Sequence, residues 1–133
     1  MTVLRLWPYF LRGIKMNQTE LLAHIEAKYA VKPEYLWKKF PDDAVFRHAT
    51  NRKWFGIMMI VSADKLGLTT PKPELLLNVK LEPDLVSVLR QTPGFLPAYH
   101  MNKEKWLSIR VSEVATEQIK ELLAQSYQLT RGK

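Results

Sequence analysis

The run Lys53 to Ala63 (KWFGIMMIVSA) constrains this chain more than any other stretch, because it is apolar at both parities of an extended strand. Ile57, Met59 and Val61 fall on one face, and Met58 and Ile60 on the other. A strand bordering water alternates apolar with polar residues, so one that is apolar on both faces has to be central or covered. Ala44 to Ala49 reads as the preceding strand. The polar connection Thr50-Asn51-Arg52-Lys53 then makes a hairpin whose tip is flanked by Arg47, Arg52 and Lys53. Leu75 to Leu81 alternates with period two and puts Asn78 and Lys80 on a common outer face. Lys80 there is either an anion contact or an ordinary solvated lysine.

Helix signals surround these strands. Asn17 or Thr19 can cap a first helix with the apolar stripe Leu21, Leu22, Ile25 and Tyr29, ending by Lys32 because Pro33 disfavours helix before it. His24 lies on its polar side. The lead-in Tyr35 to Pro41 is expected to pack its aromatics inward, ahead of an acidic turn at Asp42-Asp43. Gly67, Pro71 and Pro73 make the segment from Asp64 to Glu74 a loop, a natural second wing. Pro83 starts a second helix with inner residues Leu85, Val88 and Leu89, and Thr92-Pro93-Gly94 stops it. A loop from Phe95 to Tyr99 precedes the strand Trp106 to Val111. A last helix from Thr116 buries Ile119, Leu122, Leu123, Ser126 and Tyr127. The order α-β-β-β-α-β-α is an α+β domain over residues 16–130, an antiparallel sheet backed by helices, with a frayed tail at 131–133.

The formal net charge is +7, of which +5 falls within residues 1–60, and the isoelectric point is about 9.7. Such a balance favours anionic partners, although it also serves plain solubility. The absence of cysteine removes disulfides, thiolate nucleophiles and Cys-ligated zinc, and fits a reducing cytoplasm. No apolar run approaches the length of a membrane span.

The segment Pro97 to Trp106 joins a turn signal to Lys103, Lys105, His100 and Trp106. Asn102 tolerates the left-handed conformation of a tight turn, the lysines project from its tip, and a basic tip beside an aromatic suits a phosphate backbone. His100-Met101-Asn102-Lys103 followed by Trp106 resembles the signature of the MmcQ/YjbR family of small bacterial proteins. Phe40-Pro41 and Val45 ahead of Lys53-Trp54-Phe55, the strand Leu75 to Lys80, and the order of elements from about Met16 to Leu129 carry the resemblance further. It implies a compact α+β domain likened to secretion chaperones, with a proposed double-wing mode of DNA binding. The motif positions are Trp54, His100, Asn102, Lys103 and Trp106. Their places in strand-like runs assign Trp54 and Trp106 to the core.

Catalytic signatures are missing. The sequence has no Gly-rich phosphate loop and no nucleophile elbow, and His24, His48 and His100 lack metal-ligand spacing, so neither enzyme, metal nor cofactor is expected. The leading expectation is a DNA-binding module that contacts phosphates through Arg47, Arg52, Lys53, Lys80, Lys103 and Lys105. The alternative is a protein-interaction or chaperone-like adaptor. A small-ligand role would show as a pocket around His100, Trp106 and Trp54.

Residues 1–15 mix basic and bulky apolar residues without a cleavage motif, and read as an extension or docked tail ahead of the helix start, with Met16 as an alternative initiator; the functional alternative is a basic amphipathic arm that touches a membrane or DNA. Deleting Met1 to Lys15 is expected to leave a domain that unfolds cooperatively in denaturant. Loss of that cooperativity would assign Trp7, Tyr9 and Phe10 to the core.

Overall fold

A computed structural model describes residues 14–69 and 72–132; the extension up to residue 13 and the final Lys133 lie outside the described residues. Helix α1 (Gln18–Tyr29) starts on a capping box, in which the Asn17 side chain accepts from the Glu20 N–H and the Glu20 carboxylate accepts from the Asn17 N–H. Strands β1 (Ala44–Arg47), β2 (Trp54–Val61) and β3 (Glu74–Lys80) follow, then α2 (Pro83–Leu89), β4 (Phe95–Pro97), β5 (Trp106–Arg110) and α3 (Thr116–Thr130). The expected order holds, with β4 added where the sequence suggested a loop. Gly94 makes that strand reachable. Its φ of 94° and the 2.7 Å separation of a hypothetical Cβ from Val114 Cγ2 exclude any side chain there.

The strands form one antiparallel sheet in the order β1-β2-β3-β5-β4. The doubly apolar β2 is thus interior, as its composition requires. On one face Phe46, Phe55, Met58, Leu77, Val79, Leu107 and Ile109 pack with Leu21 and Ile25 of α1 and Ile119 and Leu123 of α3. Helix α2 contributes Val86 and Leu89 instead of the expected Val88, which is exposed. On the other face Val45, Ile57, Met59, Val61 and Leu76 are covered by Trp54, Leu66, Leu96, Tyr99, Met101 and Trp106. That face is therefore not an outer, solvated one, and Asn78 on it is fully buried. The lead-in also departs from expectation: Tyr35, Leu36, Trp37 and Phe40 are exposed.

Helix α3 is keyed into the sheet by Ser126. Its hydroxyl accepts from the Lys80 N–H at 2.8 Å and donates to the Phe55 carbonyl at 2.6 Å, so it satisfies two strand groups where β2 and β3 separate. One turn later Thr130 Oγ1 donates to the Ser126 carbonyl and lies 2.8 Å from His48 Nε2. A hydroxyl has one proton to give, so with that proton on the Ser126 carbonyl the His48 Nε2 is the donor to Thr130. Its ring packs on Phe55 and Tyr127, with centroids 5.1 and 4.3 Å away. Burial, and then the Arg131 charge, push His48 below its ordinary value of 6.5, opposed by a backbone hydrogen bond to Tyr127. His24, half-buried beside Tyr29 and not solvated as expected, is lowered by burial, Lys120 and Lys28.

A base whose pKa is depressed by folding binds more protons when unfolded. Its contribution is constant above the ordinary value and is lost as pH falls below it. The denaturant midpoint is expected to drop between about pH 7.5 and about pH 5.5, and His48→Gln to flatten that drop. A profile equally steep in the variant would place the effect elsewhere.

Candidate functional site

The antiparallel register decides where the basic residues go. β3 ends where β2 begins, since Ile57 pairs with Asn78, and β5 begins beside the end of β3, since Lys80 pairs with Trp106. The hairpin of residues 48–53, Lys80 and the turn that carries Lys103 and Lys105 therefore share one end of the sheet. The loop at 64–74, expected as a wing, joins the other ends of β2 and β3 and cannot act beside that hairpin. On the sheet face away from the helices, Trp54, Lys80 and Trp106 stand on successive strands β2, β3 and β5. Both indoles are half-buried, so neither is the fully enclosed core residue expected of it.

Two of the proposed phosphate contacts are already occupied. Arg47 Nε and Arg52 Nη2 each lie 3.2 Å from the Glu34 carboxylate, which the sequence leaves distant from both. An isolated bridge between Glu34 and Val45 brings it there. Arg47 Nε makes no hydrogen bond of good angle, so its attachment is chiefly charge, together with a guanidinium 5.7 Å above the Trp54 ring. Lys53, Lys103 and Lys105 are exposed and Lys80 half-buried, and among the described residues none has a carboxylate in ion-pair range.

The turn is built differently from its sequence expectation. His100, with φ of 60°, takes the left-handed position assigned to Asn102. Asn102 instead accepts the Glu104 and Lys105 N–H groups through Oδ1, an Asx arrangement that shapes the lysine-bearing tip. The His100 ring lies flat on Tyr99, 4.0 Å between centroids at 12°. What holds this strained turn to the sheet is Asn78. Its Nδ2 donates to the Tyr99 carbonyl at 3.1 Å, Ser108 Oγ donates to its Oδ1, and the Tyr99 N–H donates to Ser108 Oγ at 3.0 Å. Asn78 and Ser108 are both fully buried.

Between this turn and the exposed lead-in lies a cleft of about 350 Å³. Trp54, Ile57 and Met59 form its floor, Trp37 and Phe40 one wall, and Tyr99, His100 and Met101 the other. Trp37 meets Trp54 edge to face, 6.1 Å apart at 84°. Of the aromatics that a ligand pocket was expected to gather, Trp54 and His100 line it and Trp106 does not. Asp43 also lines it, having been read only as part of an acidic turn. Two residues before Val45 on the same strand line, it shares Val45's face, which was the available signal. Its carboxylate is raised from its ordinary value by burial and by Asp42, while the Ile60 N–H, 3.2 Å from Oδ1, and His100 oppose the shift.

Replacing Asn78 by alanine would strand the Ser108 hydroxyl and the Tyr99 carbonyl in the interior. The expected cost is about 2–4 kcal/mol in denaturant unfolding, with faster hydrogen exchange at the Tyr99 amide. A cost below about 1 kcal/mol would show that the turn is held by other contacts.

The comparisons with known proteins agree with this architecture. The YjbR family model matches residues 26–129. A Bacillus subtilis (strain 168) relative, the uncharacterized protein YyaQ, is 38% identical over 117 residues, 87% of this chain and 99% of its own. A crystal structure of a Pseudomonas syringae protein superposes with a TM-score of 0.84 at 41% identity, covering 87% of this chain and all of that one. A Deinococcus radiodurans protein with a DUF419 domain shares the fold, with a TM-score of 0.67 at 21% identity over 92% of this chain and 83% of its own. Family match, curated relative and sheet topology agree, and the chain belongs to the YjbR family.

Proposed function

We propose that the chain is a non-enzymatic DNA-binding module that sets two basic connections against the phosphate backbone. The observation that carries this reading is the convergence of the 48–53 hairpin and the 98–105 turn at one sheet end, with Lys80 between two half-exposed tryptophans. Two strand spacings separate β2 from β5, roughly 10 Å, so Lys53 and the Lys103–Lys105 tip can engage neighbouring phosphates together. The contacts are Lys53, Lys80, Lys103 and Lys105; Arg47 and Arg52 serve the Glu34 pairing and support the hairpin. Contacts of this kind position a protein without reading sequence. The indoles offer stacking surfaces to any unpaired base. Absence of cysteine suits work in the cytoplasm.

A second reading has its own observation. The exposed apolar segment Tyr35, Leu36, Trp37 and Phe40 favours a protein-interaction adaptor.

Fluorescence anisotropy with labelled duplex DNA at several salt concentrations tests the first. Four phosphate contacts give a slope of log K against log salt of about −3 to −4. Lys53→Gln and Lys103→Gln should each flatten it by about one unit, whereas Arg47→Gln should leave it unchanged. No affinity at low salt would end the DNA reading in favour of the adaptor.

A further inference from the structure

We propose that the cleft between the lead-in and the Tyr99–Met101 turn binds a small organic ammonium ion, with Asp43 as counter-ion, Trp37 and Phe40 as one wall and Trp54 as floor. Its volume of about 350 Å³ lies at the small end of ligand sites, which run from about 300 to 1,000 Å³. Asp43 is only 8% exposed, yet it has no ion-pair partner among the described residues, and the Ile60 N–H fills one of about four acceptor positions on its carboxylate. A carboxylate set among aromatic side chains at the edge of a cleft is stabilised by a cation brought to it. Its raised pKa has burial as the first cause and agrees with that setting.

The walls supply the second half of the recognition. Aromatic faces attract a cation within about 6 Å of the ring centre, and the mutually perpendicular Trp37 and Trp54 present two sides of a cage. The Arg47 guanidinium, 5.7 Å from the Trp54 ring centre, already occupies one approach to that ring and adds to the charge opposing a cation, although the Glu34 carboxylate 3.2 Å from Arg47 Nε offsets it. Lys65 and His100 also line the cleft and oppose a cation, and Asp42 adjoins Asp43. Lys65 and His100 are exposed, so solvent screens them, whereas Asp43 is buried and acts through a lower dielectric. An anionic ligand would meet that carboxylate first.

Tryptophan fluorescence and calorimetric titrations with choline and with n-butylammonium, each against its neutral isostere (3,3-dimethylbutan-1-ol and butan-1-ol), provide the test. At least one cation is expected to bind about tenfold or more tighter than its isostere. Asp43→Asn keeps the shape and an acceptor for the Ile60 N–H, and Trp37→Ala alters an exposed residue, so both variants should fold; circular dichroism checks this. Each should weaken the cation about tenfold or more. The proposal is overturned if neither cation binds at millimolar concentration, if the alcohols bind as well as the cations, if butyrate binds in their place, or if folded Asp43→Asn retains full affinity.

Discussion

A polar side chain fully enclosed at the centre of a sheet must have its hydrogen bonds supplied from within, and Asn78 imposes that requirement on everything around it. Its amide and carbonyl are met by Tyr99 and Ser108, which draws the turn before β5 down onto the face of the sheet opposite the helices. With the turn fixed there, His100 is forced into the left-handed region and stacks on Tyr99, and Met101 closes over the second apolar cluster. An unsatisfied amide at this position would leave the turn free and the cleft without one wall.

The helical face follows the same economy of polar groups. Ser126 and Thr130 of α3 relay hydrogen bonds from the point where β2 and β3 part to His48 in the hairpin. The hairpin is thus anchored to the last helix, and Asn51 adds a bond to the Thr130 carbonyl at 2.9 Å. A basic loop so tied has little conformational freedom left to lose when it meets a partner, and lower ordering cost favours binding.

Charge and shape are divided along the sheet. Lysines gather where β2 and β5 begin and β3 ends, because antiparallel pairing brings those termini together. The cleft runs from Trp54 towards Lys65 along β2, and its only buried carboxylate among the described residues is Asp43. Trp54 belongs to both regions. Any ligand in the cleft would therefore touch the residue that borders the basic end, so occupancy of one and affinity of the other can be examined for coupling.

By itself, the sequence determined the interior position of β2, the capped start of α1, the start of α2 at Pro83, the inner stripe of α3 and the α+β order. These depend on periodicity and on local start and stop signals, which act over a few residues. The motif at residues 100–106 was equally legible as a special turn, but which residue takes the strained φ depends on where Tyr99 is tied. Tertiary structure alone decided that Glu34 claims Arg47 and Arg52, that the face bearing Asn78 is covered, and that Asp43 faces a cleft. Each of these follows from a contact between elements distant in sequence: a lone bridge to β1, loops folded over a sheet, a turn hung from a buried amide. Exposure of Tyr35 to Phe40 has the same origin, because a lead-in rich in aromatics packs inward only if the sheet face beneath it is vacant, and here Trp54, Tyr99, Met101 and Trp106 already cover it.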